Sequence, residues 1–347
     1  MQHPLRGPLA LALSLAACSA AAAGYAIQEL VVLPQASSQV VRALNNRGES
    51  AAGAGGEGVA HGAFILSRTG TRRIEGLRGS DYSIARGIND SGEVVGSSNT
   101  AVSVMAFRWT ARAGAQPLAP LPGDGASEAF AVNELGQAVG YSSGRRGQRA
   151  VLWSRSGAAQ ELTVPAASSR AYSINKAGDI AGTLGKAPAR RAFLRAAGGT
   201  VQELGVLPGD PESEALDLNN GREVVGWSGG PAGLRAVLWS AGSMHELGAV
   251  RGAQHSRARA INNKGEIVGE SGSAHDSRAF LWTRSAGLQD LNAFVAPGAG
   301  YMLLEAVAIN DEGLIVALGR DHDHSNHDHS KHGRAAPVRV FLLTPSR

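Results

Sequence analysis

A phrase of about 43 residues recurs seven times along this chain, and a repeat of that length dictates one supersecondary unit stacked on itself. Its core, Ala-x-x-Ile-Asn-x-x-Gly, stands at Ala85–Gly92, Ala171–Gly178 and Ala258–Gly265, with close variants in the other copies. The asparagines Asn45, Asn89, Asn133, Asn175, Asn219, Asn262 and Asn310 mark its phase, at separations of 44, 44, 42, 44, 43 and 48 residues. A second phrase ends 20 residues after most of them, as in Ala106-Phe-Arg-Trp109, Ala150-Val-Leu-Trp153, Ala236-Val-Leu-Trp239 and Ala279-Phe-Leu-Trp282. A third follows, as in Gln160-Glu-Leu162, Gln202-Glu-Leu204, His245-Glu-Leu247 and Gln289-Asp-Leu291.

Each unit reads as four short strands. After Arg257–Ile261 comes the turn Asn262–Gly265, then Glu266–Glu270, a variable loop, Ala279–Thr283, and Leu288–Leu291. Four strands of four to six residues per repeat match one blade of a propeller. With 46 glycines and 43% apolar residues, the chain suits tight turns and a filled core, not long helices. The position four before each marker asparagine is Val41 or one of the alanines 85, 129, 171, 215, 258 and 306, which reads as crowding of the innermost strands at an axis.

The ends carry the sharper evidence. Tyr25–Leu30 is a fourth-strand phrase without a third strand before it, and Arg339–Leu343 is a third strand without a fourth after it. Joined, they complete a seventh blade and remove two exposed edges, which an open solenoid has no reason to provide for. The expected fold is all-β: a seven-bladed β-propeller spanning 25–347, closed by Ala26–Leu30 pairing with Val338–Leu343.

The combined phrases resemble the HAF-repeat family of bacterial exported proteins, named for a His-Ala-Phe phrase and also carrying Ile-Asn-x-x-Gly and Phe-Leu-Trp. The resemblance covers about residues 25 to 347, and it departs from the family in that most copies here have Arg where the family name has His. It implies export and a repeat fold, and no particular reaction.

Residues 1–23 read as a signal peptide. Arg6 precedes an apolar run, Leu9–Ala17, which is too short to span a bilayer. Two cleavage sites compete: a lipobox, Leu15-Ala16-Ala17-Cys18, with lipidation at Cys18, and an A-x-A site, Ala21–Ala23, with Gly24 as the first mature residue. Cys18 is the sole cysteine, and its position favours the lipobox. The folded part therefore holds no disulfide and no thiol ligand. The expected location is the outer envelope, as a lipoprotein, or the periplasm or exterior. A membrane enters only through that lipid.

Most residues that look functional are generated by the repeat. The asparagines suit turns, with a glycine three later accepting positive φ. Gly140-Tyr-Ser142-Ser-Gly144 and Gly226-Trp-Ser228-Gly-Gly230 match a nucleophile-elbow pattern, but both fall at the end of a second strand, where no helix follows. Trp109, Trp153, Trp239 and Trp282 share an apolar phase suited to packing between blades. No blade-specific acidic pair stands out, so no catalytic residue is assigned. An arginine opens the third strand in five copies: Arg149, Arg191, Arg235, Arg278 and Arg339. These form either a partial anion-binding ring or locally paired surface charges.

One feature lies outside the repeat. Asp321-His-Asp-His-Ser-Asn-His-Asp-His-Ser-Lys-His332 interrupts the last unit, within a loop insertion at 320–334. His322, His324, His327, His329 and His332, with Asp321, Asp323 and Asp328, offer ligands suited to Zn, Ni or Cu, although the fold requires no cofactor. The net charge of +4 contains no basic run of the kind that marks a nucleic-acid arm. The sequence thus points to a monomeric, non-enzymatic binding scaffold for a protein, glycan or anionic polymer. The alternatives are metal buffering through the histidine loop and an enzyme acting from the channel face on an extracellular polymer.

Overall fold

The computed structural model describes residues 24–30, 38–56, 59–231, 233–273, 276–295, 300–321 and 338–346. These form seven four-stranded antiparallel sheets. The innermost strands are Ser38–Leu44, Ser83–Ile88, Ala126–Val132, Ser169–Ile174, Glu212–Leu218, His255–Ile261 and Tyr301–Ile309. Each packs beside the next, and the last packs beside the first, which closes the ring. This is the seven-bladed propeller that the repeat predicts.

The seventh blade joins the two ends of the chain. Tyr25–Leu30 pairs antiparallel with Arg339–Pro345, in register from Tyr25 opposite Pro345 to Leu30 opposite Val340. Arg339–Pro345 pairs on its other edge with Ile315–Asp321. Phe341 is 1% exposed and stacks on Tyr301 at 4.5 Å. The core is divided among the interfaces between successive blades. Trp153, for example, packs with Val95 and Ala106 of the preceding blade and donates its indole N–H to the Ala119 carbonyl at 2.7 Å. Trp109, Trp239 and Trp282 fill equivalent interfaces.

The marker asparagines do more than shape turns. Each Oδ1 accepts at least one backbone N–H within its own turn; that of Asn262 accepts from Lys264 at 3.0 Å and Glu266 at 2.9 Å. Each Nδ2 donates across the interface to the backbone carbonyl of the next marker asparagine. The series runs Asn45 to Asn89 (3.0 Å), Asn89 to Asn133 (3.0 Å), Asn133 to Asn175 (3.1 Å) and Asn175 to Asn219 (3.2 Å). It continues Asn219 to Asn262 (3.2 Å), Asn262 to Asn310 (3.0 Å), and returns from Asn310 to Asn45 (3.0 Å). Every one of these side chains is buried, so the circle of bonds is shielded from water. Glycine occupies the left-handed turn position in six blades, and Arg222, at φ 62°, occupies it in the remaining one. Its guanidinium is tied to buried Asp179 by two bonds of 2.9 Å.

The small residues of the inner strands have a different cause from the one expected. Ala85, Ala129, Ala171, Ala215 and Ala258 are fully buried between blades, and each lies opposite a second-strand glycine: Gly96, Gly140, Gly182, Gly226 and Gly269. A Cβ on any of these glycines would fall within 2.0 Å of the backbone carbonyl oxygen just before the alanine. The ladder shifts register immediately after this position in all seven blades, after an alanine in six and after Val41 in the other. Crowding at the bulge, not at the axis, selects alanine and glycine here.

Candidate functional site: the channel wall

Because the bulged residue has no ladder partner, its side chain is turned out of the sheet. Three positions before the marker asparagine, each blade has one residue so placed: Arg42, Arg86, Phe130, Tyr172, Leu216, Arg259 and Val307. They form the channel wall, and they are large where the sequence led us to expect small residues. Arg259, Val307, Arg42 and Arg86 follow one another on four successive blades, and Phe130, Tyr172 and Leu216 occupy the other three. One side of the channel is therefore largely cationic and the other aromatic and aliphatic. Phe130 lies 5.2 Å from Tyr172 and 5.8 Å from Tyr141, ring centre to ring centre.

These side chains stand between two cavities. One, of about 450 Å³, opens away from the asparagine turns and is bordered also by Glu128, Arg170 and Glu214. The other, of about 460 Å³, reaches the asparagine turns.

Glu128, Arg170 and Glu214, two positions earlier on three of the inner strands, also border the first cavity; the equivalent positions on the other four are Val40, Ile84, Arg257 and Glu305. Glu128 holds Arg86 at 2.9 Å and accepts the Tyr141 hydroxyl at 2.6 Å. Burial and then that carboxylate push the Tyr141 phenol well above its usual range. Glu214 accepts the Trp227 indole N–H at 3.0 Å and faces Arg190 at 3.6 Å. Arg259 lies between Glu270 at 2.9 Å and Glu305 at 2.7 Å. Burial raises the Glu305 pKa, against the pull of Arg259. Glu128, Glu214 and Glu305 are thus blade-specific carboxylates on inner strands, which sequence reasoning passed over. The available signal was variability: these positions change from copy to copy inside a phrase that otherwise repeats.

In the second cavity, Asp217 accepts the Ser173 hydroxyl at 2.7 Å, the Leu218 N–H at 2.9 Å and the Ile261 N–H at 3.0 Å. Burial outweighs these bonds and pushes its pKa up to about 6.

The residues singled out from sequence lie elsewhere. The five third-strand arginines sit away from the channel wall. Arg149 pairs with Asp124 and Glu161, Arg235 with Asp210 and Glu246, Arg278 with Asp276 and Asp290, and Arg339 with Glu29 and Asp321. Arg191 donates to the carbonyls of Arg190 and Pro211. Ser142 and Ser228 are fully buried, accept the N–H of Leu121 and Leu207, and donate to Asp124 and Asp210. In the histidine tract only Asp321 is described, ion-paired with Arg339 at 2.7 Å; His322, Asp323, His324, His327, Asp328, His329 and His332 lie outside the described residues, as does Cys18. No helix among the described residues is long and apolar enough to cross a membrane.

No family model matches the chain, and no curated protein matches it. Solved propellers do. A streptogramin B lyase is similar with a TM-score of 0.59 at 12% identity, over 93% of this chain and 98% of that one. The β-propeller domain of the trilobed protease from Pyrococcus furiosus, which has an open velcro topology, gives 0.57 at 8% identity, over 89% and 94%. YCF48 bound to D1 peptide gives 0.56 at 10% identity, over 93% and 96%. At such identities the likeness is one of fold: the chain is a seven-bladed β-propeller.

Proposed function

We propose that this protein is an exported binding scaffold without catalytic activity, and that its ligand is held at the channel wall. The observation carrying this is the contrast within the repeat. The phrases that build blades recur almost unchanged, and the bulge positions, which build no blade, differ from one copy to the next. Side chains freed from packing and converging on a cavity are where a repeat protein places specificity. YCF48, a propeller of similar fold, is seen with a bound peptide, so the architecture accommodates such use. The carboxylates at the cavity are each held by an arginine, a tyrosine or a tryptophan, an arrangement that favours binding over acid–base chemistry.

The test is retention of material from the envelope fraction of the native host by immobilised full chain, beside an Arg42→Gln/Phe130→Ala double variant. The reading expects a species retained by the wild type and lost from the variant; equal retention by both refutes it. Export follows from the signal peptide and is checked by labelling cells with a palmitate analogue. Wild type is expected to carry the label and Cys18→Ser to lack it, whereas an unmodified Gly24 N-terminus refutes lipidation. The histidine tract supports a second reading, metal binding at the surface, which leaves the channel uninvolved.

A further inference from the structure

We propose that the cavity facing away from the asparagine turns binds an organic anion, its carboxylate or phosphate on Arg42 and its apolar body against Phe130 and Tyr172. This rests on the binding-scaffold reading and names the class of ligand.

The first support is the state of Arg42. Arg86 is held by Glu128, Arg259 by Glu270 and Glu305, Arg257 by Glu270, and Arg170 donates to Gln148 at 2.8 Å. Arg42 forms neither an ion pair nor a side-chain hydrogen bond with any described residue. The carboxylate acting on it, Glu305, is already occupied by Arg259 at 2.7 Å. Five donors on a planar fork are therefore left to the cavity.

The second support is charge. Arg42, Arg86, Arg170 and Arg259 border this cavity against two carboxylates, Glu128 and Glu214. Burial first, then the Arg259 guanidinium and, against the pull of Glu305, those of Arg86 and Arg257 lower the Arg42 pKa. An anion entering there relieves that repulsion and gains charge-assisted bonds of the kind in which arginine excels.

The third support is the rest of the wall. Phe130, Tyr172 and Leu216 border the cavity with apolar surface on three blades that carry none of Arg42, Arg86 and Arg259, with Arg86 over the Phe130 ring at 5.2 Å and Arg170 over the Tyr141 ring at 5.2 Å. The Tyr141 hydroxyl is already donated to Glu128. A bare inorganic anion leaves that surface wet, and a neutral apolar molecule leaves Arg42 unpaired. A ligand with an anionic head and a flat apolar body satisfies both. About 450 Å³ is within the range of small-molecule sites, which runs from roughly 300 to 1,000 Å³.

The experiment is calorimetric titration of the full chain, at low ionic strength, with 2-naphthoate, 2-naphthyl phosphate, 2-naphthylmethanol and inorganic phosphate. Both naphthyl anions are expected to bind. The neutral alcohol and inorganic phosphate are each expected to bind about tenfold more weakly or worse. Arg42→Gln is expected to weaken the naphthyl anions about tenfold or more, Arg42→Lys to retain part of the affinity, and Phe130→Ala to weaken the naphthyl anions without affecting inorganic phosphate. Unchanged thermal transitions establish that the variants are folded, as expected for an arginine with no partner. Absence of binding by both naphthyl anions, equal affinity for the alcohol, or indifference to Arg42→Gln overturns the proposal. The retention assay separates the two claims. Host material lost from the double variant while naphthyl anions fail to bind leaves the scaffold reading standing and removes the anion. Naphthyl anions binding through Arg42 while host material is retained regardless does the reverse.

Discussion

The circle of asparagine bonds predicts a specific pair of outcomes at Asn133. Its Nδ2 donates to the Asn175 carbonyl at 3.1 Å and to Gln137 Oε1 at 2.9 Å, and its Oδ1 accepts from Leu135 N at 3.1 Å and Gln137 N at 2.9 Å. Asn133→Ala removes all four bonds. At about 1 kcal/mol net for each, less what water restores to the partly exposed turn, the loss is about 3 kcal/mol. An unfolding entropy of about 2.1 cal/mol/K per residue over the folded chain turns this into a drop of about 4–5 °C in Tm. Asn133→Asp separates the two roles. It keeps an acceptor for both turn N–H groups, loses both donated bonds, and sets a buried carboxylate against the Asn175 carbonyl. It is expected to lose at least about 2 kcal/mol, so that restoring the turn alone rescues little. Differential scanning calorimetry of wild type and the two variants decides the matter. If Asn133→Asp matched wild type while Asn133→Ala fell by the full amount, the energy would lie in the turn, and the inter-blade bond would contribute nothing.

Three further outcomes follow from the same structure. Phe341→Ala in the closing blade should cost about 3–5 kcal/mol, and deletion of 338–347 should strip both Tyr25–Leu30 and Ile315–Asp321 of their shared partner; a cooperative thermal transition unaltered by the deletion refutes closure as a source of stability. Burial pushes the Asp217 carboxyl up from the usual 3.8 to about 6, so its ionisation penalises the native state as pH rises between those values. The stability of Asp217→Asn relative to wild type should therefore increase from about pH 4 through about pH 6 and then level off, as read by chemical denaturation across that range. Zn and Ni should bind wild type at about pH 7.5, weaken sharply at about pH 5.5 as imidazoles protonate, and fail to bind a variant lacking 321–332 that still unfolds cooperatively; equal binding by that variant moves the metal elsewhere.

The sequence by itself determined the number of blades, their four-strand content and the closure of the ring. Each depends on local order that the chain states repeatedly: a turn phrase, an apolar third strand, and two half-blades at its ends whose edges demand partners. Trp153 was legible as interface packing because its phase recurs. The marker asparagines were legible only as turn formers, since a bond from Asn310 to the Asn45 carbonyl spans the whole domain and leaves no local trace. Tertiary structure decided the channel. Periodicity assigns alternate residues to the two faces of a strand, but a bulge after Ala85 or Ala129 breaks that alternation and turns Arg86 or Phe130 toward the axis. Which side chains then meet across the opening, cationic on one wall and aromatic on the other, depends on the order of blades around a closed ring. Residues hundreds of positions apart become neighbours there, and only the folded chain brings Arg259 and Arg42 to the same cavity.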